Sequence, residues 1–527
     1  MCAAWLPTGR TNGRETGAMS VLTTSSRVDD ILRRSAARTP ANTALVFGGR
    51  EWTYAGLDDA VTRAAARLLG LGAVKGDRIA AYGKNSDAYL IGYLACARAG
   101  LVHVPVNFAL QGEELAYLLE QSGSTVVLAD PALRSAVDAL RTETGVEQVV
   151  ELRDSAGSLL AEACEGPVPE LDVEVADTDL VQLLYTSGTT SRPKGAMMTH
   201  RALVHEYLSC LVGLDLDAGD NPLHAMPLYH SAQMHVFLMP WLAVGARNTL
   251  VEAPDPADLL NRIEADGHGA FFAAPTLWVA LANRPEFAER DLSSLRKAYY
   301  GASIMPGPVL DKLRSALPEL GLYNCFGQSE VGPLATVLRP EEHADRPASA
   351  GRSALFVELR VVDDKGEEVP PGELGEVVYR SPQLCLGYWD KPEETEEAFR
   401  GGWFHSGDLV RADAEGYIEV VDRIKDVINT GGVLVASREI EDVLFAHPDV
   451  AEAAVVGVAD EKWIEAVTAY VVPAPGTDTE ALPDLLVAHV REHLAPFKVP
   501  KSVRVVTALP RNASGKILKR ELRDSTA

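Results

Sequence analysis

The chain has 527 residues, of which 47% are hydrophobic and 23% are charged, a composition typical of a soluble globular protein. This length can bury more than one hydrophobic core, so two or three domains are expected. The formal net charge of -25 disfavours nucleic acid and anionic membrane surfaces as general partners.

The cysteines and the apolar segments predict neither export nor membrane insertion. The six cysteines are scattered without paired metal-ligand spacing, so buried free thiols in a reducing compartment are expected. No apolar run is long enough to span a bilayer, and residues 1–18 lack the apolar core of a signal peptide. We therefore expect a cytoplasmic protein with a disordered extension at residues 1–18.

The first part of the chain alternates between predicted strands and helices. Residues 43–47 and 51–54 flank a Gly-Gly pair, which predicts a β-hairpin. Further strands, separated by helices, are predicted at residues 78–82, 101–106 and 125–129. This alternation predicts an α/β region with a largely parallel sheet.

A loop rich in hydroxyl residues follows the apolar run at residues 180–184, which predicts a buried strand. The loop, residues 185–195, contains glycines and ends in Pro-Lys-Gly. It offers backbone N–H groups, hydroxyl donors and one cation to a polyanion, which favours a nucleotide triphosphate. It lacks the spacing of a Walker loop. The alternative is a surface turn, which the preceding apolar strand and the specific ending disfavour.

Two different patterns occupy the last third of the chain. Residues 357–379 alternate in short predicted strands around an Asp-Asp-Lys-Gly turn, which predicts a β-rich subdomain. Beyond residue 425, roughly 100 residues predict the order helix, strand, strand, helix and strand. We therefore expect a large domain at residues 19–424 and a small α+β domain at residues 425–527.

Five further strings accompany the loop: Gly-Ala-Ser at 301–303, Tyr-Asn-Cys-Phe-Gly-Gln-Ser-Glu at 323–330, Trp-Phe-His-Ser-Gly-Asp-Leu at 403–409, Asp-Arg-Ile-Lys-Asp at 422–426 and Arg-Asn-Ala-Ser-Gly-Lys at 511–516. With the loop, they resemble the adenylate-forming superfamily of acyl- and aryl-CoA ligases, luciferases and peptide-synthetase adenylation domains. The resemblance is closest to fatty or medium/long-chain acyl-CoA ligases. It implies a large AMP-binding domain of two α/β subdomains and a β-rich subdomain. A hinge at Lys425 would join this domain to a small, mobile C-terminal domain.

The resemblance also implies how ATP is bound. Glu330 would bind Mg²⁺, since a carboxylate beside phosphates is favourable chiefly when a hard cation joins them. Ser329 would donate to the α-phosphate, Asp408 would accept from both ribose hydroxyls, and Arg423 would contact ribose or phosphate. The other implied contacts are Thr186, Ser187, Gly188, Thr189 and Thr190 in the loop, Gly301, Ala302 and Ser303 beside adenine, and Asn324, Phe326, Gly327 and Gln328.

The implied reaction has two halves. A carboxylate attacks the α-phosphate of ATP, with Mg²⁺, Lys194 and Lys516 neutralising charge, and gives an acyl-adenylate and pyrophosphate. A thiol then displaces AMP after the small domain rotates about Lys425, which brings Gly431 and Gly432 to line the pantetheine tunnel. Coenzyme A is the favoured thiol. An acyl-AMP ligase that loads a carrier protein is less favoured, because the large domain shows no insertion of the kind those enzymes carry.

The acid is expected to be apolar. Residues 229–232 match the position of the amine-binding aspartate of peptide-synthetase domains but contain no acidic residue, which disfavours an amino acid. His230 resembles the gate histidine beside the substrate carboxylate. A fatty or polycyclic acid is suggested by Gly301, Met226, Met234, Met239 and Trp241. For the methionines and the tryptophan, the alternative is an ordinary hydrophobic core.

Departures from the superfamily pattern leave other functions open. Ser191 replaces a loop glycine, which restricts the backbone if this position needs a positive φ. Ser329 replaces threonine, Val433-Leu434 replaces a common Glu-Asn pair, and Ile464 replaces glycine. The alternatives are a half-reaction enzyme that uses a preformed acyl-adenylate and a non-catalytic nucleotide or acyl binder. The oligomeric state, including a homodimer, also stays open.

Overall fold

Within the part of the chain that the structure describes, the strands form four sheets. The computed structural model describes residues 26–186, 192–303, 305, 307–460, 462–511 and 517–524. In chain order, the strands are β1 Thr43–Phe47, β2 Arg50–Thr53, β3 Arg78–Tyr82, β4 Val102–Val106, β5 Val126–Ala129, β6 Gln148–Glu151, β7 Leu180–Thr186, β8 Lys194–Thr199, β9 Pro222–His224, β10 Asn248–Leu250, β11 Ala270–Phe272, β12 Lys297–Gly301, β13 Gly321–Gly327, β14 Leu334–Leu338, β15 Arg352–Ser353, β16 Glu358–Val362, β17 Leu374–Arg380, β18 Phe404–Ala412, β19 Ile418–Arg423, β20 Ile428–Thr430, β21 Val433–Val435, β22 Val450–Asp460, β23 Ile464–Pro473 and β24 Ser502–Val505.

Helices connect most of these strands. In chain order, they are α1 Val28–Arg38, α2 Tyr54–Gly70, α3 Asp87–Ala99, α4 Gly112–Ser122, α5 Arg134–Thr144, α6 Leu159–Cys164, α7 His200–Gly213, α8 Met239–Val244, α9 Pro256–Asp266, α10 Pro275–Ala282, α11 Glu286–Glu289, α12 Gly307–Ala316, α13 Pro392–Ala398, α14 Ser437–Phe445, α15 Leu482–His493 and α16 Lys519–Asp524. A π-helix, Ala232–Leu238, leads directly into α8. None of the helices named here is long and apolar enough to cross a bilayer.

Two of the sheets carry the α/β alternation that the sequence predicts. The first has the order β6-β5-β3-β4-β7-β8 and is parallel except for β8. The second has the order β15-β14-β13-β12-β11-β9-β10-β1-β2, with a parallel centre and antiparallel edges. The predicted hairpin forms β1 and β2, because Gly48 and Gly49 adopt the positive φ values of 55° and 83° that its turn needs.

The other two sheets form the β-rich part and the C-terminal part of the chain. Strands β16 to β19 make an antiparallel sheet in sequence order. The C-terminal sheet has the order β21-β20-β23-β22, and β24 joins the side of β23. The chain passes between these sheets through a 3₁₀ turn, Ile424–Asp426, which contains Lys425. The predicted fold class is confirmed: two α/β units, a β-rich unit and an α+β unit.

Candidate active site

The phosphate loop leaves and returns at one point of the first sheet. Thr186 ends β7, Lys194 begins β8, and the two residues are cross-strand partners. Residues 187–191 and 512–516 lie outside the described part of the chain. The predictions for Ser187, Gly188, Thr189, Thr190, Ser191 and Lys516 therefore have no structural counterpart here.

The carboxylate of Glu330 lies directly beside the base of this loop. Glu330 is buried in the short 3₁₀ turn Ser329–Val331. Its Oε1 atom accepts a hydrogen bond from the Thr186 hydroxyl at 3.0 Å and another from the Tyr388 hydroxyl at 3.0 Å. Its backbone oxygen accepts from the amide of Cys385 at 2.8 Å. Both the position of Glu330 and the orientation of its carboxylate are therefore fixed by the loop strand and by the Cys385–Tyr388 segment.

Lys194 reaches the same cluster through an aromatic ring. Its Nζ atom lies 5.0 Å from the centre of the Tyr388 ring, within the range of a cation–π interaction. Burial and the neighbouring Glu330 raise the pKa of Tyr388, so its hydroxyl stays protonated and donates. One tyrosine thus contacts both the predicted phosphate-binding lysine and the predicted metal-binding glutamate.

The residues predicted to bind ribose face each other across two strands. Asp408 on β18 and Arg423 on β19 are cross-strand partners, and Arg423 Nε lies 2.6 Å from Asp408 Oδ1. Burial, Arg423 and Lys194 together lower the pKa of Lys425. The predicted hinge lysine is therefore within electrostatic reach of Arg423 and Lys194, and also of the carboxylates of Asp426 and Glu397.

The segment that contains His230 is held from both sides. Asn85 donates its amide to the backbone oxygen of Met226 at 3.0 Å and accepts from the backbone N–H of Leu228 at 2.7 Å. The hydroxyls of Ser231 and Ser329 lie 2.9 Å apart, which joins this segment to the turn that carries Glu330. His230 itself is exposed to solvent, yet the protein around it lowers its pKa through desolvation. Its imidazole is therefore neutral at pH 7.

Most of the residues suggested to line an apolar acid pocket lie in the hydrophobic cores instead. Met234, Met239 and Trp241 are almost completely buried, and they pack in the hydrophobic cores of the large domain. Trp241 also donates its indole N–H to Asp220 at 3.0 Å. The core alternative therefore applies to these three residues. Only Met226 of the four stays partly exposed.

Close strand packing explains the glycines of the predicted adenine side. A Cβ atom on Gly301 would lie 2.1 Å from the backbone oxygen of Cys325, so only glycine fits there. Ala302 follows with a φ of 64°, and the side chains of Ala302 and Ser303 are exposed. Gly327 ends β13, where a Cβ would lie 2.0 Å from the backbone oxygen of Pro333.

The other predicted residues of this motif are partly exposed on and after β13. Asn324 and Phe326 belong to that strand, and Gln328 precedes the turn that contains Ser329 and Glu330. The amide of Asn324 donates to the backbone oxygen of Ser349 at 3.0 Å, which attaches β13 to the neighbouring segment. The motif therefore runs continuously from β13 to the turn that carries Glu330.

Gly431 and Gly432 form the turn between β20 and β21. Their φ values are 65° and 87°, and Gly431 N–H donates to the backbone oxygen of Trp463 at 2.6 Å. Two ammonium groups lie near the Trp463 ring, those of Lys462 at 4.9 Å and Lys501 at 4.8 Å from its centre. An aromatic face flanked by cations suits a base that carries phosphates.

Large apolar side chains surround this turn. Val433 and Leu434 are exposed, Leu434 to 68%, and Ile464 is exposed on the neighbouring strand. Ile464 adopts a φ of 65°, a conformation that strongly disfavours β-branched residues. Val433, Leu434 and Ile464, which make up two of the departures from the superfamily pattern, are therefore exposed near this turn, and Ile464 strains the backbone.

The chemistry of the Glu330 site fits a magnesium ion. Within the described residues, Oε1 accepts both hydroxyl hydrogen bonds and Oε2 accepts none, so one oxygen is left to face a cation. No group of three histidine, cysteine or acidic side chains in the described part of the chain could hold a metal alone. Mg²⁺ is commonly bound by one or two carboxylates together with substrate phosphates, as this arrangement requires.

Sequence reasoning missed Tyr388, Asn85 and Trp463. The Gly-Tyr pair at residues 387–388 follows a strand of the β-rich part, but no spacing connects it with Glu330, 58 residues earlier. Trp463 directly precedes the unusual Ile464, and this neighbourhood was the available signal. Asn85 offered none.

Comparison with known proteins identifies the family to which this chain is similar. Residues 32–389 match the AMP-binding enzyme model, and residues 439–516 match the model of the AMP-binding enzyme C-terminal domain. A feruloyl-CoA synthase from Amycolatopsis sp is 40% identical over 93% of this chain and 97% of its own. A fatty acid–[acyl-carrier-protein] ligase, ScoC, from Streptomyces coeruleorubidus is 34% identical over 93% of this chain and 94% of its own.

A solved structure agrees with these matches. The anthranilate CoA ligase AuaEII, determined with anthranoyl-AMP, has a TM-score of 0.88 at 27% identity and covers 95% of this chain and 97% of its own. The chain belongs to the AMP-binding enzyme family, as the sequence strings predicted. Within this family it is an AMP-forming acid–thiol ligase of the acyl-CoA synthetase class.

Proposed function

We propose that this ligase converts an aromatic carboxylic acid into its coenzyme A thioester through an acyl-adenylate that is made with Mg-ATP. The observation that carries the proposal is the cluster at the base of the phosphate loop, where Glu330 accepts hydrogen bonds from Thr186 and Tyr388 and the Tyr388 ring lies beside Lys194. Such a cluster has the cation and the carboxylate that a nucleotide triphosphate and its metal require.

In the first half-reaction, a carboxylate oxygen of the acid attacks the α-phosphorus, and pyrophosphate leaves. Lys194, Arg423 and Lys425 are the described cations near the phosphates, and they stabilise the charge that develops there. A Mg²⁺ held by Glu330 and the phosphates would supply further charge neutralisation when bound. Lys516, delivered by the small domain, completes this set.

His230 acts beside the acid as a neutral group. Because desolvation lowers the pKa of its imidazole, the residue offers a hydrogen bond and no full charge at pH 7. A neutral imidazole leaves the substrate carboxylate nucleophilic, whereas an imidazolium would stabilise it in the ground state. Ser231 places this gate against Ser329, the proposed donor to the α-phosphate.

In the second half-reaction, the thiol sulfur attacks the carbonyl carbon of the adenylate, and AMP leaves. We propose that coenzyme A supplies the thiol. Its adenine would lie near Trp463 and its phosphates near Lys462 and Lys501, while pantetheine passes Gly431 and Gly432 after rotation about Lys425. A carrier protein has no such nucleotide, so the cation-flanked ring favours coenzyme A.

An aromatic acid is supported from two directions. The feruloyl-CoA synthase is the relative with the highest identity quoted above, and the solved neighbour holds an aromatic acyl-adenylate. Near the gate, the Tyr229 ring packs edge-on against Phe108 with centres 5.6 Å apart. Met226 and Gly301 remain as apolar and small residues of this region. A fatty acid is the second candidate, supported by the ScoC relative.

A panel of acids tests the substrate class. Pyrophosphate release without coenzyme A is measured with ferulate, cinnamate, octanoate, palmitate and phenylalanine at equal concentration. We expect ferulate and cinnamate to exceed octanoate, palmitate and phenylalanine in the rate of pyrophosphate release by on the order of tenfold or more, because one apolar pocket discriminates shape by a few kcal/mol. Higher values for octanoate or palmitate would replace the aromatic acid with a fatty acid.

A further inference from the structure

We infer that Tyr388 is a positioning residue that fixes the metal-binding carboxylate and the phosphate-binding lysine relative to each other. The inference rests on the proposed roles of Glu330 and Lys194. Tyr388 is about 9% exposed, its hydroxyl donates to Glu330 Oε1 at 3.0 Å, and its ring lies 5.0 Å from the Lys194 ammonium group. A single side chain therefore touches both groups.

The hydroxyl of Tyr388 orients the carboxylate. It shares Oε1 of Glu330 with the hydroxyl of Thr186, and both bonds measure 3.0 Å. Two donors on one oxygen hold the carboxylate plane, and Oε2 is directed away from them. Hydrogen bonds to an ionised carboxylate are among the stronger ones in proteins, so this orientation costs little to maintain when a cation binds.

The ring of Tyr388 restrains the lysine. Lys194 is the first residue of β8, and the backbone of its neighbour Gly195 accepts from the amide of Trp389 at 2.8 Å. The segment that carries Tyr388 is thus attached to β8 beside the lysine. A ring face beneath an ammonium group limits its positions without neutralising its charge. Lys194 therefore stays available to a phosphate.

Tyr388 is attached to the Glu330 turn by more than its hydroxyl. The amide of Cys385 donates to the backbone oxygen of Glu330, and the amide of Tyr388 donates to Thr395 Oγ1 at 2.9 Å. The backbone around the ring is consequently held at both ends. Removal of the phenolic oxygen alone should leave this backbone in place, which makes Tyr388→Phe an interpretable variant.

The test measures binding of Mn²⁺, as a paramagnetic probe for Mg²⁺, to the enzyme–ATP complex by electron paramagnetic resonance. ATP binding in EDTA is measured separately by calorimetry. We expect Tyr388→Phe to weaken Mn²⁺ binding by on the order of tenfold, because the hydroxyl that orients Glu330 is lost. Metal-free ATP binding should stay within about twofold of that of the parent enzyme, because the ring remains. Tyr388→Leu should weaken both, because Lys194 also loses the ring.

Controls separate this inference from the proposed function. Tyr89→Phe removes another buried hydroxyl, one that has no hydrogen-bond partner among the described residues, and it should change neither measurement. If Glu330→Gln leaves Mn²⁺ binding unchanged, the metal site itself is wrong. If Glu330→Gln weakens Mn²⁺ binding but Tyr388→Phe does not, only the positioning role of Tyr388 is overturned. A loss of metal-free ATP binding in Tyr388→Phe equal to its loss of Mn²⁺ would also overturn it.

Discussion

The surroundings of Glu330 and the turn at Gly431-Gly432 are built in opposite ways. Around Glu330, side chains from β7, β8 and the 385–388 segment are largely buried and contact one another. Around the glycine turn, Val433, Leu434 and Ile464 are exposed, and Ile464 strains its backbone. A preorganised cluster suits the adenylation half-reaction. An exposed apolar turn suits an element that becomes covered only in another domain arrangement.

The largest effect is expected from the residue that would connect the two regions. Lys516→Ala should slow acid-dependent pyrophosphate release by about 10²–10³-fold, the range seen when one charge-stabilising donor is removed. Thioester formation from a supplied acyl-adenylate and coenzyme A should change by less than about threefold. Arg520→Ala, which removes an exposed cation nearby in the chain, is the control and should leave both rates unchanged. Equal losses of rate in both assays would contradict the assignment of the two half-reactions to different regions.

A second test concerns the preorganised region. Asp408→Asn should raise the KM for ATP by roughly 10- to 100-fold, since a hydrogen bond to a charged group contributes about 1.5–3 kcal/mol. It also removes the charge that pairs with Arg423. Asp364→Asn, in the exposed turn before β17, should have no effect. An unchanged KM for ATP in Asp408→Asn, measured by steady-state kinetics, would remove Asp408 from the ribose site.

The apolar turn should affect the thiol half-reaction alone. Leu434→Asn should raise the KM for coenzyme A by about fivefold, because roughly 1 kcal/mol of apolar burial would be lost when the turn is covered. Pyrophosphate release without coenzyme A should stay the same. Leu485→Asn, at an exposed leucine of α15, is the matched control. A slower first half-reaction in Leu434→Asn would show that the turn contributes to adenylation as well.

The smallest effect concerns the strained residue. Ile464→Asn should increase the free energy of unfolding of the C-terminal unit by about 1 kcal/mol, because asparagine tolerates a positive φ far better than isoleucine does. Ile464→Val keeps the branched Cβ and should give no increase. The midpoints of urea unfolding, compared between the two variants and the parent protein, measure this difference in stability. If Ile464→Asn is less stable than Ile464→Val, the exposed isoleucine contributes packing that outweighs its strain.

Local chemistry explains which parts of this molecule the sequence could predict. The Gly-Gly hairpin and the strand before the phosphate loop depend on neighbouring residues, and both are confirmed. The string containing Asp408 and the string containing Arg423 could be found separately, although only the sheet register makes them partners. The predicted roles of these residues stay predictions.

Features that depend on long-range packing could not be predicted from the sequence. Met234, Met239 and Trp241 have the composition of a ligand pocket, but packing between sheets and helices places them in the core. The bond between Tyr388 and Glu330 joins two segments whose separation along the chain carries no periodic signal. Lys462 is the neighbour of Trp463 in the chain, but Lys501 reaches the ring through the pairing of β24 with β23, which a single sequence does not specify.

The most direct measurement follows every product in a single reaction of the full chain with ferulate, Mg-ATP and coenzyme A. AMP, pyrophosphate and the thioester are quantified together over time. The account predicts equal amounts of the three, with pyrophosphate also released when coenzyme A is left out. Thioester formed only from a supplied acyl-adenylate, with no pyrophosphate from any acid of the panel, would contradict it and leave a half-reaction enzyme.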